Sequence, residues 1–340
     1  MNLDEVPEVV LDNLLESYFQ GKIEKKFEGN SGKVYLVKNN CFSPEYNAYK
    51  KCKGLEEDSI DLFKEEVFKW NQIRSRYIVP IYYMHTVFGE YYACMRACKG
   101  SLEEFLKNEV TEIAAYNYSL QIIKGLLDMN DSGLLHHQDF NPQNILYEDL
   151  SELFRDFPPQ HFDDSHRYRM MISDFAMSNY YLKNNIDGKA GGKFPFKAPE
   201  QYKNSDLMCF QPDRFALGVL LCLLFSNKHP CGHSAAQVLK KNPKKIKGGW
   251  ENWAKNGERV IQVKNKKLKK LIEKLLLAWP SQRPSFSDCF AQIQSEYESY
   301  YPEQAKISIN LINCSKDEYD KVPRENLRHK YHDNSLQKRF

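Results

Sequence analysis

The stretch from His137 to Leu146, His-Gln-Asp-Phe-Asn-Pro-Gln-Asn-Ile-Leu, constrains this chain more than any other. It sets a carboxylate, Asp139, five positions before an amide, Asn144, with Pro142 between them and an apolar strand-like end after them. That pattern suits a loop whose carboxylate faces a hydroxyl while the amide faces a metal ion. Loops of Asp and Asn also serve simply to turn a chain, so the surrounding segments decide what this one is for.

With 340 residues, 42% hydrophobic and 27% charged, the chain can bury one large core or two modest ones, and a two-lobed unit is expected. A net charge of +3 does not call for nucleic acid as a partner. The nine cysteines are odd in number and scattered, without a repeated Cys-x-x-Cys, which reads as reduced thiols rather than a zinc site or a disulfide framework. The N-terminus, Met-Asn-Leu-Asp-Glu-Val-Pro, is acidic where a secretory signal is basic. The apolar run Leu217 to Phe225 is too short to span a bilayer, so no transmembrane segment is expected. A cytoplasmic location follows, with delivery into another cell by a dedicated secretion system left open.

Along the chain, Val9, Val10, Leu14 and Leu15 lie near helical spacing and predict a short leading helix. Lys22 to Cys41 reads as strand, turn, strand, with Gly29 and Gly32 flanking Asn30 and Ser31; glycines there let backbone amides approach a phosphate. A further strand carries Asn47-Ala48-Tyr49-Lys50. Asp61 to Ile73 predicts a helix on which Leu62, Glu66, Trp70 and Ile73 share a face, so Glu66 points inward and wants a cation; Glu65 is the alternative in a shifted register. Arg76 to Ile81 and Tyr91 to Met95 read as strands, and Arg96 to Leu102 breaks the second before a new helix. Tyr116 to Asn130 is helical, with Ser132-Gly133 as its stop. Leu153 to Arg169 reads as an inserted loop whose His161 and His166 are solvent-exposed, and Arg169 to Ser173 as a strand. Two lysine-rich stretches, 240–247 and 264–270, are either a docking patch for an acidic partner or anionic surface, or a solvated face. Leu268 to Trp279 and Phe286 to Ile293 are helical, and residues from about Pro302 form a polar tail.

The order of these segments resembles the eukaryotic-type protein kinase superfamily over about residues 22 to 295. The opening stretch is similar to the catalytic loop His-Arg-Asp-Leu-x-x-x-Asn. Phe27 to Val34 resembles the glycine-rich loop, with Phe27 for its first glycine, and Ala48-Tyr49-Lys50 resembles the Ala-Ile-Lys strand. Asp174-Phe175-Ala176 resembles Asp-Phe-Gly, and Ala198-Pro199-Glu200 matches Ala-Pro-Glu outright. The resemblance implies an α+β, bilobal fold: a small antiparallel β-sheet lobe with one main helix at 22–98, and a larger, mainly helical lobe at 99–300 with an insertion at about 150–168. Residues 1–21 would be a helical extension and 301–340 a tail. It implies ATP and Mg2+, or Mn2+, as cofactors and a protein as substrate. Asp139 would accept the proton of the attacking hydroxyl, and Asn144 and Asp174 would hold metal. Lys50, tied to Glu66, would hold the α- and β-phosphates. Gly29, Asn30, Ser31 and Gly32 would cover the triphosphate; Val34, Ala48, Met95, Ala97, Cys98 and Leu146 would meet the adenine. It further implies that Arg283 pairs with Glu200 and that Asp213 is tied to the backbone of the catalytic loop. Two short runs, Pro142 to Leu146 and Asn227 to Gly232, resemble the kinase lobes of stress-sensor kinase-ribonucleases, whose ribonuclease module is not expected here.

Several positions depart from the pattern. Asn141 stands where serine/threonine kinases place a lysine, and Gln138 replaces the arginine that meets a phosphorylated activation loop. Activity independent of activation-loop phosphorylation is the expectation. Asn141-Pro142 favours serine or threonine as acceptor, whereas Lys193-Phe194-Pro195 resembles a run of some tyrosine kinases. With Phe27 and Ala176, these departures keep a pseudokinase scaffold as the rival class. Ala198-Pro199-Glu200, Arg283 and Asp213 argue against a small-molecule phosphotransferase.

Overall fold

The structure is a computed structural model that describes residues 7–320 apart from 30–31, 41–43, 55, 154–164, 179–191, 203–210 and 241–242. Asn30, Ser31, His161 and residues 321–340 therefore lie outside the described residues. The chain forms two compact units. Of the described residues, one contains 7–73, 79–98 and 317–320; the other contains Arg74–Ile78 and those within 99–316.

The first unit begins with helix α1 (Glu8–Phe19), followed by strands β1 (Gly21–Gly29), β2 (Gly32–Asn39) and β3 (Tyr46–Lys51), helix α2 (Glu57–Gln72), and strands β4 (Ile81–Val87) and β5 (Glu90–Arg96). The strands make an antiparallel sheet in the order β1-β2-β3-β5-β4. Alternation along β3 decides what each face buries. Tyr49 stacks on Phe19 of α1 with ring centroids 3.9 Å apart, in a core that includes Leu15, Tyr35, Val37, Val87, Tyr92 and Cys94. Lys50, the next residue, points to the opposite face and reaches α2.

The expected leading helix is α1; it buries Leu15 and Phe19, which reach the aromatic face of the sheet, and leaves Val9 and Val10 exposed. Two expectations need correction here. On α2 the buried face is Phe63, Glu66, Val67 and Trp70, and Leu62 is exposed. The segment from Arg76 to Pro80 is not a strand: only Ile78 makes an isolated bridge, to Ile172, and regular pairing starts at Ile81 after Pro80.

The second unit is mainly helical. It carries a small antiparallel sheet of β6 (Gly100–Ser101), β7 (Ile145–Asp149) and β8 (Tyr168–Ile172) in the order β6-β7-β8. The long helices are α3 (Glu112–Asp131), α4 (Pro212–Ser226), α5 (Lys266–Leu275), α6 (Phe286–Tyr300) and α7 (Pro302–Asp320), of which the residues up to 316 belong to this unit. Helix α3 is capped by Thr111, whose hydroxyl accepts from the Ala114 N–H at 3.3 Å. Its Gln121 accepts from the Met170 N–H and donates to the Tyr168 carbonyl, which fixes β8 against α3. A side chain at Gly125 would put its Cβ 2.9 Å from the Tyr77 carbonyl and 3.0 Å from Ile172, so this contact depends on glycine. Helix α4 is buried along nearly its whole length and starts with Pro212 at its first turn.

The lysines of α5 lie outside a buried stripe of Leu268, Leu271, Ile272 and Leu275, and Lys267 pairs with Glu296 at 2.7 Å. This is the pattern of a solvated face on an amphipathic helix. Residues 302–320, expected as a tail, are helical, with Ala305, Ser308 and Ile312 buried. That packing also overturns the expectation for His166. Its ring is buried, with Nε2 2.9 Å from the Ser308 hydroxyl and Nδ1 3.0 Å from the Ser165 hydroxyl. Among the described residues no helix is long and apolar enough to cross a membrane.

Candidate active site

In the first unit, Lys50 Nζ lies 2.6 Å from Glu66 Oε1, and both side chains are more than nine-tenths buried. The helical register separates the two glutamates. Glu66 lies on the buried face of α2, while Glu65 turns outward and pairs with Lys69 one turn on at 2.5 Å. A buried ion pair stands only if both partners stay, since each alone is an uncompensated charge. Val34 is paired with Lys50 and Leu36 with Ala48, and Met95 lies opposite Ala48 on β5. Ala97 and Cys98 follow that strand directly. Gly29 and Gly32 end β1 and start β2. Gly32 has φ +123°, and a Cβ there would approach the Lys51 carbonyl to 2.8 Å, so no other residue fits this turn without strain.

In the second unit the loop before β7 is pinned from below by α4. Asp213 accepts the backbone N–H of His137 at 2.6 Å and of Gln138 at 2.9 Å. These two bonds hold Gln138 at φ +68°, a left-handed conformation that costs a non-glycine residue about 1–2 kcal/mol. The Gln138 carbonyl accepts from Gln201 Nε2, and Gln201 Oε1 accepts from the Ala198 N–H, so the Ala198-Pro199-Glu200 segment is attached to the same loop. The His137 ring is buried, with Nε2 2.9 Å from the Ser173 carbonyl and its centroid 4.9 Å from that of Phe175.

The anchored loop presents Asp139. Its Oδ1 accepts from Asn141 Nδ2 at 3.0 Å and from the Lys193 backbone N–H at 3.1 Å, and its Oδ2 accepts from Asn144 Nδ2 at 3.0 Å. Both amides also donate to the Asp139 carbonyl at 2.9 Å. Burial pushes the Asp139 carboxyl above the ordinary aspartate value, and the Asp174 charge adds to this; the charge of His137 and the two asparagine amides oppose it. Leu146 continues the same segment in β7, opposite Met171.

Asp174 follows β8 at φ +63°, a conformation that Asp tolerates better than most residues. Its neighbours are anchored on each side. The Ser173 N–H donates to the Asn144 carbonyl at 2.8 Å, and the Phe175 side chain is buried. Among the described residues no cluster of three or more His, Cys, Asp or Glu side chains could hold a metal. The candidate ligands are oxygen donors, which suit Mg2+. With Asn144 Nδ2 committed to Asp139, its amide oxygen is the atom that remains to coordinate a cation.

Farther along, Arg283 donates to both carboxylate oxygens of Glu200 at 2.6 and 2.8 Å, with both side chains buried. Sequence reasoning missed the contribution of Lys193 to Asp139 and that of Gln201 to the loop. Lys193 stands in a segment singled out for its similarity to tyrosine kinases, and nothing in its spacing links it to Asp139, 54 residues earlier.

Two comparisons bear on this geometry. A family model described as the protein kinase domain matches residues 23–294. NUAK family SNF1-like kinase 1 of Homo sapiens is 22% identical over 213 residues, a match that covers 62% of this chain and 28% of that protein.

Proposed function

The chain belongs to the protein kinase family, and from that membership we propose that it transfers the γ-phosphoryl group of ATP to a protein hydroxyl, of serine or threonine by preference. The observation that carries this is the Asp139 carboxylate, oriented by Asn141, Asn144 and the Lys193 backbone in a loop anchored on Asp213. A base that must take a proton from a hydroxyl needs a fixed direction and a pKa raised toward the working pH, and Asp139 has both.

In the proposed step the acceptor oxygen bonds the γ-phosphorus while its proton passes to Asp139. The bond from that phosphorus to the β,γ-bridging oxygen breaks, and ADP leaves with the electron pair. Lys50, kept in place by Glu66, holds the α- and β-phosphates, and the turn at Gly29 and Gly32 covers them. Asn144 and Asp174 would hold Mg2+, or Mn2+, which when bound would neutralise charge on the phosphate oxygens. Val34, Ala48, Met95, Ala97, Cys98 and Leu146 take the adenine. The preference for serine or threonine rests on Asn141-Pro142 and is the finer part of the proposal. The thiols of Cys52, Cys94, Cys222 and Cys289 are free and buried, which suits a reducing compartment that also supplies ATP.

The test is a labelled-ATP assay with Mg2+ and general protein acceptors, comparing wild type with Asp139→Ala and Lys50→Ala. Label on serine or threonine that both variants lose supports the proposal. Equal label in all three shows that the activity is not this protein's. An ATP-dependent rise in Tm without any label favours a nucleotide-holding scaffold instead.

A further inference from the structure

The loop that presents Asp139 carries no lysine or arginine. Where the serine/threonine pattern has a lysine stands Asn141, whose amide is spent on the Asp139 carboxylate at 3.0 Å and the Asp139 carbonyl at 2.9 Å. A neutral amide stabilises negative charge on a transferring phosphoryl group much less than an ammonium does. A kinase with this loop alone would lack that charge.

A lysine arrives from another part of the chain. The Lys193 backbone N–H donates to Asp139 Oδ1, the same oxygen that takes the Asn141 amide. This segment lies against the loop. Gly192, at φ +102°, would set a Cβ 3.2 Å from the Gln138 carbonyl, so glycine is what lets the segment lie on the loop. Directly after, the Lys193 carbonyl accepts from the Phe196 N–H at 2.9 Å in the 3-10 turn Phe194–Phe196, which fixes the residue from its other side.

Among the described residues the ammonium has no hydrogen-bond partner. Its side chain is 17% exposed, Nζ is buried, and Glu103 Oε2 lies 4.0 Å away. An ammonium has three donors, and burying it without acceptors is costly. Burial pushes this lysine below its ordinary range, while the charges of Glu103 and Asp139 pull it back up. A buried cation without acceptors, on the residue whose backbone N–H meets the Asp139 carboxylate, is arranged for an anion that arrives later.

We propose that Lys193 supplies the positive charge that the catalytic loop lacks at Asn141, its ammonium meeting the γ-phosphoryl group as it passes to the hydroxyl beside Asp139. The proposal deepens the kinase reading and rests on it. In the step, Lys193 keeps its protons. The proton moves from the acceptor hydroxyl to Asp139, the phosphorus–acceptor bond forms, and ADP departs with the electrons of the broken bond. The charge that stabilises transfer thus sits on the segment leading to Ala198-Pro199-Glu200, and anything that displaces this segment removes the charge together with a hydrogen bond to the base.

The experiment measures kcat and KM for ATP in wild type, Lys193→Met, Lys193→Arg and the double variant Lys193→Met/Asn141→Lys, with the ATP-dependent Tm shift of each. Lys193→Met is expected to lower kcat roughly 100-fold, the scale of one lost charge-stabilising donor, with KM and the ATP-dependent shift unchanged. Lys193→Arg keeps most of the rate, and a lysine returned at position 141 restores most of what Lys193→Met loses. An active wild type matched by Lys193→Met overturns the proposal. A loss that neither Lys193→Arg nor the double variant recovers also overturns it, because the side chain's role would then be structural. If Lys193→Met does not fold, Lys193→Gln is judged by the same rates. No transfer by wild type overturns the kinase reading itself, and this proposal with it.

Discussion

Asp139 is where the physical chemistry of this chain is most exposed to test. Its carboxyl is raised by burial and by the Asp174 charge, so the folded protein binds its proton more tightly than the unfolded chain does. Ionised Asp139 therefore costs stability at neutral pH, and this cost fades as pH falls from the raised value toward that of an ordinary carboxylate. The acidic limb of the kcat profile is expected above the ordinary aspartate value, and Asn141→Ala should move it to higher pH by removing a hydrogen bond that favours the charged form. A pH–rate series on the two proteins checks both. The Lys50–Glu66 pair has a different signature. Lys50→Met should destabilise by about 3 kcal/mol, because it leaves Glu66 buried and unpaired, whereas Lys50→Met/Glu66→Met should recover most of that. Urea unfolding separates the two cases. At this scale helical spacing could narrow the partner of Lys50 to Glu65 or Glu66, since adjacent residues face apart on a helix. The burial of Glu66 against Lys50 and the contact of Glu65 with Lys69 show which one faces out. The contact of Lys193 with Asp139 was not legible in the same way, because it is made through a backbone N–H that any sequence carries.

Between elements, the buried links are polar. Arg283 ties the turn Pro199–Tyr202 to the segment after α5, donating also to the carbonyls of Leu277, Ala278 and Gln211. Arg283→Ala should cost about 3–5 kcal/mol, since it strands Glu200, and Arg283→Lys should recover little because an ammonium cannot reproduce the two parallel bonds. Thermal unfolding with a scan-rate control measures this. Element existence was largely legible and boundaries were not. Helix α2 starts four residues before its apolar period, at Glu57, and β4 waits until Pro80 has passed. The helix at 302–320 was hidden by its composition. Its buried contacts, Ala305, Ser308 and Ile312, are few, and its apolar residues Ile307 and Leu311 are exposed, so no clean apolar stripe marks it. Truncation after Tyr301 should uncover His166 and lower Tm.

For the whole molecule, the order of short motifs was enough to name the family, because each motif is weak alone but their sequence order is hard to produce otherwise. The antiparallel sheet unit and the mainly helical unit follow that expectation. The departures from the pattern bear on regulation. Gln138 is neutral and buried, with its backbone committed to Asp213 and Gln201, so it offers a phosphorylated segment no cation. A phosphatase-treated preparation should therefore keep the transfer rate of the untreated protein, and a treated protein that is inactive until an upstream kinase acts would contradict this. The most direct test of the account separates binding from chemistry at Asp139. Asp139→Asn and wild type are compared for the ATP-dependent Tm shift and for single-turnover transfer of labelled phosphate at saturating ATP and Mg2+. The account predicts equal shifts with transfer slowed at least about 100-fold in the variant; equal rates of transfer would contradict it.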